Sequence, residues 1–175
     1  MGRPYQPSLL RLLHAATGVL VASAWITGLA VLLTLDRRWG TLPFPLPGEW
    51  VDIHGTAGVV LLPVAVLFLI YAVTVGRARL RRFTNLVPLL ALVLAIGSGK
   101  LMDEDWLREG QLDHLVYRVH LGAWFLLALT VVLHLLGTLS RGGLPMVASM
   151  AQLGWRPNDS PAAWWGQLRR GISGR

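Results

Sequence analysis

The sequence predicts an all-α membrane protein: a bundle of four transmembrane helices, both termini cytoplasmic, with a short interfacial C-terminal tail. Three observations predict it. Of 175 residues, 54% are hydrophobic and only 14% charged, and the mean hydropathy is positive, a composition outside that of ordinary soluble domains. Four apolar runs, Leu12 to Leu35, Ile53 to Val75, Phe83 to Leu101 and Leu115 to Leu139, each come near the roughly 20 residues with which a helix crosses about 30 Å of hydrocarbon. The arginines, finally, gather at one side of these runs.

The first run follows Arg3 and Arg11 and contains "ASA" at Ala22 to Ala24, features shared with cleavable leaders. It continues through "WITGLAVLLTL" to Leu35, well beyond the roughly 7–15 residues of a leader's apolar core, so it reads as a retained span with Met1 intact. The linker "LPFPLPGE", Leu42 to Glu49, is too proline-rich for helix and reads as a semi-rigid cap. After the second run, "GRARLRR" carries four arginines and no acid, which places this turn, the N-terminal stub and the basic tail on the cytoplasmic side. The third run is short and contains Pro88. The loop "KLMDEDWLREGQLDH" is net acidic and suits the opposite side. Beyond the fourth run, Gly142 and Gly143 break the helix, and "PNDSPAAWWGQLRR" sets tryptophans beside arginines, a pattern for the headgroup level, with a disordered tail as the equal alternative. The division is thus a membrane domain, 1–140, and a tail, 141–175.

Several function classes fall away. The net charge of +7 is accounted for by arginines at helix ends, so no nucleic-acid partner is expected; the partner it implies is membrane lipid. There is no cysteine, which excludes disulfides, iron–sulfur clusters, thiolate metal sites and covalent c-type haem. Gly-rich phosphate loops, Ser/His/Asp signatures and metalloprotease motifs are absent, and no catalytic residue is assigned.

Four of the five histidines lie inside the runs: His14, His54, His120 and His134. The 14 residues from His120 to His134 correspond to about 21 Å of rise and four turns less roughly 40°, so both rings leave one face of one helix, one in each leaflet. Because the chain reverses at each loop, His54 comes level with His120, and His14 with His134. Opposed imidazoles on neighbouring helices are what a six-coordinate b-type haem requires, and two pairs imply two non-covalent haems with these four histidines as iron ligands. Gly18 and Gly58 follow His14 and His54 by four residues and remove side-chain bulk on the same helix face, where a flat macrocycle would press; Gly122 and Gly137 are further candidates. A lone membrane histidine can equally hydrogen-bond a carbonyl, and glycines also serve close helix packing. His114 has no partner at its level and reads as a solvated interfacial residue, with a role beside an outer redox partner or quinone as the alternative.

Histidines on the first, second and fourth of four spans, with H-x13-H on the fourth, resemble the di-haem b-type cytochromes. That family includes bacterial cytochrome b561 and the cytochrome b subunits of membrane-bound hydrogenases and formate dehydrogenases. The likeness covers about residues 8 to 140, and "PYQPSLLRLLH", "GSGKLMDEDWL" and "QLDHLVYRVHL" are similar to short stand-alone members. It implies that His14 and His134 hold the cytoplasmic-side haem and His54 and His120 the outer one, in a bacterial inner or thylakoid membrane.

Haem propionates want cationic partners near the surface; by level these are Arg118 and Lys100 for the outer pair and Arg11 and Arg141 for the inner. The expected function is transmembrane electron transfer, to and from a redox partner protein or quinone. Two alternatives stay open. One is a quinol or superoxide oxidoreductase, with Lys100, Asp103 and His114 as pocket candidates; the other is a non-redox anchor or metal carrier whose histidines bind zinc or copper. A homo-oligomer is also left open.

Overall fold

The computed structural model describes residues 5–152, 154 and 156–173; the expectations for Met1 and Arg175 fall outside these residues. In chain order the helices are α1 (Ser8–Thr34), α2 (Trp50–Val73), α3 (Arg77–Leu80), α4 (Phe83–Leu101), α5 (Glu104–Arg108), α6 (Leu115–Met150) and α7 (Pro161–Ser173). There is no strand among the described residues. The four long helices α1, α2, α4 and α6 are each apolar and long enough to span a bilayer, and in each only 22% of the most apolar stretch is buried inside the bundle. The rest of that apolar surface faces outward, as with Val19, Ile26, Leu129 and Leu136, where only lipid can solvate it. The chain is an integral membrane protein.

The bundle is two antiparallel hairpins set side by side. α1 packs along the length of α2 and α4 along α6, while the hairpins meet each other at few places. Three apolar layers hold the bundle, the second and third of them between the hairpins. One, at the end carrying Tyr5 and α7 (the terminal end), joins Leu9, Leu10 and Tyr71 to Trp164 and Leu168 of α7. A central layer joins Leu61, Ala65, Ala91, Leu92 and Leu127, with Leu20, Val21 and Ala24 of α1 against it. The third, at the far end, joins Val31, Val51, Leu107 and Tyr117. Small residues at the centre let backbones approach, which matters where lipid gives apolar side chains no reason to leave it.

Each end is fastened by a buried carboxylate. At the far end Asp36 is fully buried and accepts from the Tyr117 hydroxyl at 2.5 Å and from Arg38 at 2.6 and 2.8 Å. Burial alone would raise its pKa, but the hydrogen bonds from Arg38 and Tyr117 and the Arg38 charge outweigh it, holding Asp36 below the usual carboxylate range. At the terminal end Asp159 accepts from the Tyr5 hydroxyl at 2.5 Å, the Ser8 amide at 2.6 Å and Gln167 at 3.1 Å. Its pKa is also lowered, hydrogen bonds again prevailing over burial. Trp164 donates to the Ser8 hydroxyl at 2.8 Å. The tail is therefore a helix clasped to the start of α1. Its approach is set by Gly143, whose φ of 61° and ψ of −166° break α6 at the expected Gly-Gly pair.

Candidate functional site

The two histidine layers lie between the three apolar layers, and in each layer the rings face one another across the gap between hairpins. His14 of α1 and His134 of α6 have ring centroids 6.1 Å apart with planes at 36°. His54 of α2 and His120 of α6 are 6.0 Å apart with planes at 68°. Two imidazoles sharing one metal ion would stand about 6.2 Å apart, from twice a bond of about 2.0 Å plus roughly 1.1 Å from nitrogen to ring centre. The observed separations match that spacing; a direct hydrogen bond between the rings would draw them closer.

The rings are aimed by their own hairpins. His120 Nδ1 lies 3.0 Å from the Ala95 carbonyl and 3.1 Å from Ser98 Oγ, both on α4. His54 Nδ1 lies 3.1 Å from Thr27 Oγ1 of α1. His134 Nδ1 lies 3.0 Å from the Thr84 carbonyl of α4. That last acceptor has a sequence cause. Thr84 precedes Pro88 by four residues, so the carbonyl that an amide at position 88 would have engaged is left without its helical donor, and His134 supplies one. His14 instead meets the edge of Phe68 at 6.1 Å. In His120 and His134 a carbonyl acceptor makes Nδ1 the donor, so Nε2 keeps its lone pair; among the described residues no hydrogen bond reaches any of the four Nε2 atoms.

Glycines make room on both sides of the rings. A Cβ at Gly28 would stand 3.1 Å from His54 Cε1 and one at Gly99 3.0 Å from His120 Cε1, so these two let the rings seat against the neighbouring helix. At Gly18, Gly58 and Gly122 a Cβ would meet nothing within 4 Å, so these positions leave open space on the helices that carry the rings. Gly137 differs, since Arg141 and Thr84 lie 3.1 Å from its Cβ position. The residues present fit a haem in each layer: imidazoles at bis-ligation spacing, Nε2 free of hydrogen bonds among the described residues, and in each layer a ring of α6 whose Nδ1 is held by a carbonyl of α4.

The cations are placed less uniformly. Lys100 and Arg118 are exposed at the far end and make no ion pair among the described residues. Arg11 is buried, and its guanidinium donates to the carbonyls of Gln152 and Gly154, with Nε unpartnered. Arg141 donates to Thr84 Oγ1 at 2.9 Å. His114, expected in solvent, is stacked on Trp106 at 3.7 Å, because α5 folds the acidic loop back over the entrance of α6. Asp103 caps α5 through the Asp105 amide at 3.1 Å.

Sequence reasoning missed Thr27, Ser98, Gly28 and Gly99. Level arithmetic could have found Gly28, which stands 14 residues after His14, the spacing that separates His120 from His134. It also missed the stacked pair Trp25 and Trp124, 4.5 Å apart and within 3° of parallel, which joins α1 to α6 just inside the His54–His120 layer.

A family model described as prokaryotic cytochrome b561 matches residues 5–152. Comparison with curated proteins and with solved structures finds no match.

Proposed function

The chain belongs to the prokaryotic cytochrome b561 family, membrane proteins of haem-based electron transfer, and from that premise we propose that it carries electrons across the membrane through two bis-histidine b-type haems, one per leaflet. His14 and His134 hold one and His54 and His120 the other. Bound there, haem supplies a one-electron iron couple. The observation that carries the reading is the pair of 6.1 and 6.0 Å imidazole separations, repeated at two levels of one bundle.

The chain's own part is to hold, orient and insulate. Thr27, Ser98 and the Ala95 and Thr84 carbonyls fix ring orientation and raise ligand basicity. The central layer of Leu61, Ala65, Ala91, Leu92 and Leu127 keeps water from the space between the two levels. Residues 1–140 carry the sites and 141–175 form the tail. The arginines of "GRARLRR" set the terminal end in the cytoplasm, so the His54–His120 level lies in the outer leaflet, where exposed Arg118 and Lys100 are available to haem carboxylates and to an anionic partner. Electrons enter and leave through a redox protein or quinone.

The test has two parts. Purified protein should show a visible spectrum that sharpens on dithionite reduction, with two haems per chain by pyridine haemochrome. Reconstituted into vesicles loaded with ferricyanide, it should discharge the internal ferricyanide when an impermeant reductant is added outside. Colourless protein, or coloured vesicles whose contents stay oxidised, would refute the reading.

A further inference from the structure

At the terminal end a cavity of about 920 Å3 opens between α2, α3 and α7. Three elements each contribute an arginine to its lining: Arg77 of α3, Arg156 from the segment before α7, and Arg170 of α7. None of the three forms an ion pair among the described residues. Arg156 is held at the rim by the Tyr5 ring, its guanidinium carbon 4.1 Å from the ring centre. Tyr71 also lines the cavity; it is only 1% exposed, yet its hydroxyl has no hydrogen-bond partner. A buried hydroxyl left unpaired is costly, and this one belongs to the lining of the same cavity as three guanidinium groups that form no ion pair among the described residues.

Asp159, the one carboxylate among the described lining residues, does not answer this demand, because its oxygens are already occupied by Tyr5, Ser8 and Gln167. Donors and positive charge therefore exceed acceptors and negative charge, and what satisfies both at once is a compact oxyanion with several acceptor oxygens. The setting points to a membrane source. α7 docks Trp164 and Leu168 inward and leaves Trp165 and Ile172 exposed at 74% and 67%, an aromatic and an aliphatic side chain placed as in helices that lie at the headgroup level. We propose that this cavity binds a phosphate-bearing anion: the phosphodiester headgroup of an anionic phospholipid, or a soluble phosphate of the same chemistry. The proposal does not depend on the haem reading.

The test uses the full-length purified chain in detergent, with binding counted by native mass spectrometry and checked by thermal shift. The probes are dihexanoyl-phosphatidylglycerol, dihexanoyl-phosphatidylcholine and inorganic phosphate. Phosphatidylglycerol should bind saturably and about tenfold or more tightly than phosphatidylcholine, the difference expected when guanidinium groups meet a net negative charge. The variant Arg77→Gln/Arg156→Gln/Arg170→Gln should lose that preference. Arg81→Gln/Arg82→Gln/Arg169→Gln, which removes the same charge outside the cavity lining, should keep it. Tyr71→Phe, which deletes only the hydroxyl, should weaken binding about tenfold to a hundredfold, as for one hydrogen bond to a charged acceptor. Displacement of the lipid by inorganic phosphate identifies a soluble anion as an occupant; binding unaffected by phosphate assigns the site to the lipid. Equal binding of the two lipids, equal losses in the two triple variants, or no effect of Tyr71→Phe would overturn the proposal. So would loss of a haem signal in the cavity variants, since the arginines would then be serving a haem carboxylate.

Discussion

Replacing Pro88 by Ala isolates the claim that a proline in α4 aims a ligand on α6. The substitution restores an amide at position 88 that can donate to the Thr84 carbonyl, the acceptor now 3.0 Å from His134 Nδ1. By helix propensity the change favours the folded helix, Pro costing about 3 kcal/mol relative to Ala in a helix interior. The His134 ring should nevertheless lose part of its anchor. Loss of an outer-shell partner of a ligating histidine costs about 10–100-fold in affinity, or roughly 1.4–2.7 kcal/mol. The His54–His120 level lies about 21 Å away along α6 and is anchored on Ala95 and Ser98, so its affinity should change by no more than about twofold, as for distant independent sites. The assay is haem transfer to excess apomyoglobin, run in a His120→Ala background to follow the His14–His134 haem alone, and in a His134→Ala background to follow the other. The reasoning fails if Pro88→Ala leaves the first rate unchanged, or speeds both equally.

Replacing His54 or His120 should halve the haem content from about two to about one per chain, the second ligand of a pair adding nothing once the first is gone, whereas His14→Ala with His120→Ala should remove both. Added imidazole should restore haem to His120→Gly, which separates a lost ligand from a misfolded chain; loss of only the His14–His134 haem on changing His54 would contradict the pairing. In intact cells a cysteine in Gly110→Cys should react with an impermeant thiol reagent and a tag after Arg175 should resist external protease; labelling only after lysis would invert the bundle. Asp36→Asn should lower the thermal midpoint at pH 7 by a few degrees. Because the folded-state pKa of Asp36 is depressed, its contribution is present above the unfolded value of about 4 and is lost as pH falls through the folded value. The gap between wild type and Asp36→Asn should therefore close on acidification, and a gap that widens would refute the assignment.

Much of this architecture is written in local patterns. Span number and length follow from apolar runs that lipid requires, and the histidine levels follow from helix rise, because a straight helix converts sequence separation directly into depth. The structure places His54 against His120 and His14 against His134 as that arithmetic predicts. What was not legible depends on rotation between hairpins and on backbone atoms, which carry no residue signature. The Ala95 carbonyl could not be distinguished from any other in α4, and nothing in "GSGKL" says which glycine His120 leans on. The Pro88–Thr84 relation was readable in principle, since a proline always frees the carbonyl four residues earlier, but its partner lay on another helix. Asp36 and Asp159 looked like ordinary loop carboxylates, and their burial came from Tyr117 and Ser8, which are 81 and 151 residues distant.

One helix, α6, carries half of each imidazole pair, and it is the last of the four spans to leave the ribosome. When His14 and His54 are made, their counterparts are still 120 and 66 residues from being synthesised. At about 5–20 residues per second, His14 waits roughly 6–24 s for His134, and Ser8 waits longer still for the Asp159 clasp. Until α6 is made, every ring of the earlier spans lacks its counterpart. Truncation anywhere before α6 would thus leave neither pair, and the order of manufacture completes the two histidine pairs within 14 residues of each other, roughly 0.7–2.8 s apart.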